Sequence, residues 1–413
     1  MAIIRPFKGL RPLPQYVARV ASRPYDVLSS EEARKEAGGN PLSFLHVGKP
    51  EIDLPRDINP YDERVYLKGE ENFKKMIAEG ILRQDDQPCL YLYSQTMGSH
   101  TQTGIVGCVS VQEYLDGTIK KHELTRADKE DDRTRHIDAT NAQTGPIFLA
   151  YRAQQAIDAL VEGLCSPMPE YDFRSGDGIR HRFWVIHDAA ALQSVTRIFR
   201  GVRNLYIADG HHRAASAWRV AQLRTRDASN PTGEEEFYFF LAVLFPHNQL
   251  NILDYNRLVT DVNGRSTKDI LNELGKAFRI EASASQVRPA AKGEFGMYLN
   301  GGWYRLKADS GMISSGDDIT RLDVSILQNL VLGPVLGIRD PRTDKRIDFV
   351  GGIRGLSELE ERVDSGEMAV AFSLYPTSIE ELFAVADSGR VMPPKSTWFE
   401  PKLRDGIVVH MLE

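Results

Sequence analysis

The stretch Asn204-Leu-Tyr-Ile-Ala-Asp-Gly-His-His-Arg-Ala-Ala-Ser-Ala-Trp218 constrains this chain more than any other. An apolar run with strand character stops at Asp209-Gly210, and an Ala-rich helix former starts at once. A strand that feeds straight into a helix presents the helix's first N–H groups and the positive end of its dipole at the join. Such a join suits an anion. Gly210 permits a backbone conformation, or a close ligand approach, that a side chain would block. Arg213 adds a planar fork suited to phosphate or carboxylate. The pattern is read as a phosphate-handling site formed by Asp209, Gly210, His211, His212 and Arg213. The plainer alternative makes Asp209 an N-cap with two surface histidines after it, which accounts for one residue well and leaves four unexplained.

A length of 413 residues exceeds one ordinary core. Two regions are expected, 1–235 carrying the motif and 236–413 with its own α+β character. Hydrophobic residues at 42% and charged residues at 26% are globular values. A net charge of −6 argues against nonspecific nucleic-acid binding, which needs a strong basic face. Cys89, Cys108 and Cys165 lie far apart, without a C-x-x-C pair, as expected of small apolar residues in a reducing compartment. The start carries no apolar run of the signal-peptide kind, and the longest apolar run, Phe237 to Phe245, is too short to cross a bilayer as a helix. A cytoplasmic protein with no membrane partner is expected.

Along the chain, Pro-rich residues before position 60 predict extended pieces wrapped over a core. Ser29 to Ala33 reads as a helix start, and Tyr61 to Gly80 as an amphipathic helix with Gly80 near its stop. Cys89 to Ser94 and Ile105 to Val111 predict a hairpin, Pro146 to Tyr151 and Phe183 to His187 strands, and Phe237 to Phe245 a buried strand. Extended character continues over Asn251 to Val262, and a helix pattern covers Asp269 to Phe278. Phe295 to Lys307 alternates around a turn at Asn300-Gly301-Gly302. Helices are expected at Asp323 to Leu336, broken by Gly333-Pro334, at Ser357 to Val363 and at Ser378 to Ala386, with a strand at Ala369 to Leu374. Strands and helices alternate without a regular βα period, so the fold class is α+β, with mixed sheets and helices.

A second titratable segment runs from Lys121 through His122, Glu123, Arg126 and Arg133 to His136. Chemistry on a hydroxyl or a phosphate would use one carboxylate as base, another as Mg²⁺ ligand, and arginines as clamps. Glu123 is the first choice for the base, with His122, Arg126 and Arg133 as substrate or phosphate contacts. A solvated face is the alternative. Near the end, Met392-Pro393-Pro394-Lys395-Ser396-Thr397 either delivers Lys395 to an anion or forms a rigid edge with Trp398 packed behind it. A zinc protease is excluded because Arg126 stands four residues after His122, and adjacent His211 and His212 would point about 100° apart on a helix. No Walker A, no G-x-G-x-x-G after a strand and no G-x-S-x-G occurs.

Arg5-Pro6-Phe7-Lys8-Gly9-Leu10-Arg11-Pro12, Pro24-Tyr25-Asp26-Val27, His122-Glu123, Pro146-Ile147-Phe148, Ala208 to Arg213 and Met392 to Thr397 together resemble the bacterial and archaeal domain-of-unknown-function family DUF1015. The family name implies no activity. The strand, Asp-Gly-x-His-Arg and helix are also similar to the phosphate-binding core of the ParB and sulfiredoxin superfamily, which includes free-serine kinases. That resemblance implies a ParB/sulfiredoxin-like core plus a second α+β region, with phosphates held by Gly210, His212 and Arg213. In those kinases a separate Glu is the base, a role that Glu123 takes here by position, and Asp209 is expected as the Mg²⁺ ligand with ATP or ADP as cofactor. His211 joins the catalytic set, and Lys395 joins Arg126 and Arg133 as a clamp. The acidic balance and the lack of a helix-turn-helix depart from partition proteins, and no Cys adjoins the motif as sulfiredoxin chemistry requires. The function expected is Mg²⁺-dependent phosphoryl transfer, or its hydrolytic reverse, on a small hydroxyl metabolite, with serine or phosphoserine first. The rival expectation is a nucleotide-sensing regulator without catalysis. Either way the partners are a nucleotide and a small molecule.

Overall fold

The computed structural model describes residues 2–309, 311 and 316–413. They form an α+β protein of two compact units. The first comprises Met1–Lys121, Thr125–Leu250 and Pro401–Glu413, and the second comprises His122–Leu124 and Asn251–Glu400.

The first unit is built on a nine-stranded mixed sheet. Its order is Ile119–Lys120, Leu205–Asp209, Ile147–Tyr151, Phe239–Pro246, His100–Ser110, Leu90–Met97, Arg180–Ile186 and Tyr171–Arg174, with the short strand Ile4–Arg5 beside His100–Ser110. The hairpin expected near residue 100 is present, with both strands reaching further into the loop and Tyr93 opposite Gly104. Phe239–Pro246 is buried along its whole length, which is why its sequence shows no alternation. Helices Gln155–Leu164, Ala189–Phe199 and His211–Asp227 contribute Ile157, Val161, Val195, Phe199 and a run of alanines to one apolar core. Alanine has little side chain to keep a helix away from its neighbours. The motif helix His211–Asp227 therefore lies close to helix Ala127–Thr140, with Ser216 Oγ donating to the Glu130 carbonyl at 2.9 Å.

Thus the charge-rich run after Lys121 is largely a helix with one buried face, formed by Asp132, Thr134, His136, Ile137 and Thr140. Helix Ser30–Ala37 starts as its sequence demands, with Ser29 and Glu32 forming a reciprocal cap. The proline-rich beginning contributes short strands and single helical turns, and strand Gly9–Pro12 joins a small sheet with Leu82–Gln84, Val409–Met411 and Ala142–Gln143. The C-terminal residues thereby return to the first unit, and Asp405 forms a backbone bridge to Ser22.

The second unit carries a six-stranded sheet of antiparallel pairs, ordered Phe278–Ser283, Gly302–Ala308, Glu294–Leu299, Val370–Leu374, Tyr255–Val259 and Ile347–Gly351. Asn300 and Gly301 both take positive φ, at 50° and 76°, and close the expected hairpin as a two-residue turn, with Gly302 already in the strand opposite Leu299. Leu258, Val287, Trp303, Val350, Leu359 and Ala371 form its core. The expected helix after Asp323 is α-helical only to Leu327 and continues as a π-turn over Gln328–Leu332. Helix Thr267–Leu274 ends before Phe278, which instead opens a strand.

Candidate functional site

Strand Leu205–Asp209 is antiparallel to Ile147–Tyr151, and its register shifts between Ile207 and Asp209. A bulge of this kind re-aims the side chains beyond it. Gly210 follows with φ 94° and ψ 30° and serves as the helix N-cap, without a side chain to offer the first turn. Asp209 is therefore the last strand residue and does not cap the helix. A Cβ on Gly210 would lie 3.1 Å from Arg213 Nε and 3.3 Å from its Cζ. Glycine is required here twice, for the left-handed backbone and for the guanidinium beneath it.

Arg213 folds back under the turn. Its Nη1 donates to the Pro146 carbonyl, and its Nη2 lies 3.3 Å from Asp209 Oδ2 and 3.7 Å from Asp26 Oδ2. Lys402 Nζ reaches the same Asp209 oxygen at 3.4 Å. Burial pushes the Asp209 carboxyl up, but Lys402, Arg213 and His211 more than offset it and hold the group well below the usual carboxylate range. Asp209 is thus ionised at any physiological pH, and its side chain keeps 26% of its exposure. Arg213 is only 7% exposed and its Nε has no hydrogen-bond partner. Burial lowers its pKa while Asp26, Asp209 and Asp405 together raise it further, so it stays charged.

Behind Arg213 lies a cavity of about 30 Å³, bordered by Tyr25, Arg133, Thr144, Gly145 and Asp405 among others. It has room for about one water molecule. Arg133 pairs with Asp132 at 2.8 Å and its guanidinium stands 4.0 Å from the centre of the Tyr25 ring. Asp405 is 5% exposed and its Oδ1 is unpartnered. Burial raises its pKa; Arg213 and Arg133 oppose this, Asp26 and Asp209 reinforce it, and the result is a group pushed up to about 7. One cluster therefore holds an acid that is always ionised and another poised near neutrality.

The remaining residues singled out in the sequence fall as follows. His211 is buried and His212 half-buried. His212 Nε2 accepts the Arg126 backbone N–H at 3.1 Å. The exposed Arg126 guanidinium is engaged by Asp128 at 2.8 Å. In the second unit, the carbonyl of buried His122 accepts the Met392 N–H at 2.7 Å, and His122 Nε2 is 3.3 Å from Thr397 Oγ1. Glu123 is half-buried. Lys395 sits at φ 57° with its Nζ 5.8 Å from the Tyr255 ring centre. The turn carrying it is fixed from below, since Arg257 Nη2 donates to the Lys395 carbonyl at 2.9 Å and Thr377 Oγ1 to the Ser396 carbonyl at 2.8 Å. Trp398 packs edge-on to Tyr255, 5.1 Å between ring centres.

Within the first unit, then, Asp209, Gly210 and Arg213 come together, and His212 meets Arg126. Sequence reading did not single out Asp26, Lys402 or Asp405 as site residues. Asp26 lies in the Pro24-Tyr25-Asp26 motif and so left a trace. Lys402 and Asp405 sit in a C-terminal segment whose local pattern gives no sign that it reaches the motif turn.

A family model described as "Protein of unknown function (DUF1015)" matches residues 4–325. No curated protein matches the chain. Among solved structures, a mutant free serine kinase in complex with AMP aligns over 73% of this chain and 91% of its own, with 12% identity and a TM-score of 0.37. A C-terminally truncated SbnI from Staphylococcus aureus aligns over 73% of this chain and 85% of its own, with 12% identity and a TM-score of 0.38. A conserved hypothetical protein from Pyrococcus furiosus aligns over 74% and 95%, with 14% identity and a TM-score of 0.35.

Proposed function

We propose, for a chain that belongs to the DUF1015 family of proteins of unknown function, that the turn at Asp209-Gly210 holds the phosphates of ATP or ADP and that the protein is a Mg²⁺-dependent phosphotransferase on a small hydroxyl metabolite. The observation that carries the reading is the turn itself. A strand ends in an ionised carboxylate, a positive-φ glycine caps the helix without a side chain, and Lys402 and Arg213 flank the carboxylate.

Both cations meet Oδ2 of Asp209, which leaves its other oxygen for a metal. Mg²⁺ is commonly held by one or two carboxylates with substrate phosphates completing its shell, and the donor set here fits that habit. Bound there, Mg²⁺ would neutralise phosphate charge. The amides of the helix's first turn would take phosphate oxygens, and Lys402 would add charge beside them. Glu123 is assigned the base on chemical grounds. In transfer to a hydroxyl, the new O–P bond forms as the bond from phosphorus to the nucleotide oxygen breaks, and the hydroxyl proton passes to Glu123. Arg126 and Lys395 are assigned to anionic parts of the ligands. The motif's similarity to that of free-serine kinases makes serine the first substrate to try, and phosphoserine with water the second.

The test incubates purified protein with Mg²⁺, ATP or ADP, and serine, and separately with phosphoserine, following phosphorus by NMR. Phosphoserine or inorganic phosphate should appear. Asp209→Asn and Gly210→Val should each lower the rate by about 10²-fold or more, as loss of a charge-stabilising group typically does. Nucleotide binding without product under every condition would instead establish the non-catalytic sensor.

A further inference from the structure

A cleft of about 340 Å³ opens in the first unit between helix Gln155–Leu164 and the sheet, and it shares no residue with the Asp209 turn. That volume lies at the lower end of the range for small-molecule pockets. Its apolar and aromatic lining includes Tyr151, Trp184 and Val161, all members of the main core. Arg182 lines the cleft and stands directly across the sheet from Ser94. Its Nη2 donates to Ser94 Oγ at 3.3 Å, and its guanidinium lies 5.4 Å from the Trp184 ring centre. Among the described residues no carboxylate comes within ion-pair distance of Arg182, so its fork keeps donors for an incoming anion. Asp158 and Glu162, one helical turn apart on helix Gln155–Leu164, also line the cleft. Like charges at that spacing destabilise a helix, and no described cation pairs with either one. The cleft thus offers one cation, two anions and an apolar lining.

We propose that this cleft binds a small apolar amino acid as its zwitterion. The α-carboxylate meets Arg182, the α-ammonium meets Asp158 and Glu162, and the side chain lies on Trp184 and Tyr151. The site serves as a sensor or store distinct from the phosphate turn, and the proposal stands whether or not phosphoryl transfer is found.

Titration calorimetry on the full chain tests it, with L-alanine, L-valine and L-leucine as probes, alongside isobutylamine, which lacks the carboxylate of valine, and 3-methylbutyrate, which lacks its ammonium. At least one amino acid should bind, and the analogues of valine should bind at least about tenfold more weakly than valine itself, a difference equal to one lost charged contact. Arg182→Met and Asp158→Asn should each weaken amino-acid binding by about tenfold while circular dichroism stays unchanged. The proposal is overturned if none of the three amino acids binds at about 10 mM, a concentration at which even feeble sites fill. Equal binding of 3-methylbutyrate, or indifference to Arg182→Met, overturns it as well.

Discussion

Gly210 concentrates two constraints in one position, a φ of 94° and a guanidinium 3.1 Å from where a Cβ would stand. Gly210→Ala should therefore cost more than the left-handed backbone alone, on the order of 2 kcal/mol, because Arg213 must also shift away from its carbonyl and carboxylate partners. Urea denaturation measures this, and an unchanged midpoint would show that the turn tolerates a side chain. Asp405 makes a second prediction. Its native pKa near 7 lies above the ordinary 3.8, so the folded state binds its proton more tightly. The stability this confers is complete below about pH 4, falls as pH rises through 7, and is flat beyond. Asp405→Asn removes that slope. The variant should gain on the parent between pH 5 and pH 8 by about 3 kcal/mol, read as the change in their unfolding difference. A difference that does not move with pH would place the Asp405 titration elsewhere. These residues also show how much of the site was legible. Asp209, Gly210 and Arg213 announce themselves because a strand, a glycine and a helix are contiguous. Lys402 meets Asp209 across 193 positions of sequence, and no local pattern encodes such a meeting.

At the scale of elements, the motif helix is held by what it lacks. Ala214, Ala215, Ser216, Ala217 and Ala221 are all at most 3% exposed, so its buried face is made of small residues. Large side chains there would lift the helix from its neighbours. Ala217 borders the small cavity behind Arg213, whose volume of about 30 Å³ cannot take the added bulk of a leucine. Ala217→Leu should destabilise by about 1–3 kcal/mol through overpacking, and should disturb the Arg213 contacts at the same time. Thermal unfolding together with the nucleotide-binding assay checks both halves; a variant as stable as the parent would mean that the helix slides to make room. The helix was legible because its alanines follow a glycine stop to a strand. Helix Gln155–Leu164 was not, since its N-cap Gln154 provides no side-chain cap and nothing marks its start. Helix Ala189–Phe199 does carry a signal, the Asp188 side chain accepting from the Ala191 amide, which a search for apolar runs passes over. Strand Ile347–Gly351 was also missed, because it pairs with Tyr255–Val259 from far along the chain and has only five residues.

At the scale of the whole molecule, the buried titratable groups are divided unequally between the two units. The first unit buries Glu113 and Asp405, both pushed up to about 7. It also buries His136 and His181, both pushed down, chiefly by burial, to about 4 and about 3. The raised carboxyls lose stability as pH rises from about 4 to 7. The depressed histidines do the reverse, because the unfolded chain takes up their protons below pH 6.5 and the folded chain does not. Between pH 4 and 6.5 the two sets oppose one another, with His410, which burial also pushes down, on the histidine side, so the first unit's stability should vary less with pH in that window than either set alone would make it. The second unit has Asp323, also raised to about 7 by burial despite the Gly293 amide donating to both of its oxygens at 3.0 and 3.1 Å. The stability that Asp323 contributes should decline as pH rises from about 4 through 7. Asp323→Asn keeps one oxygen to accept the Gly293 N–H and cannot ionise. It should leave thermal unfolding near pH 4 almost unchanged and stabilise the second unit at pH 8 by a few kcal/mol, up to about 4. Scanning calorimetry of parent and variant at the two values decides it: an equal shift at both would mean that Asn repacks the pocket, and no shift at pH 8 would mean that the buried carboxyl ionises without cost.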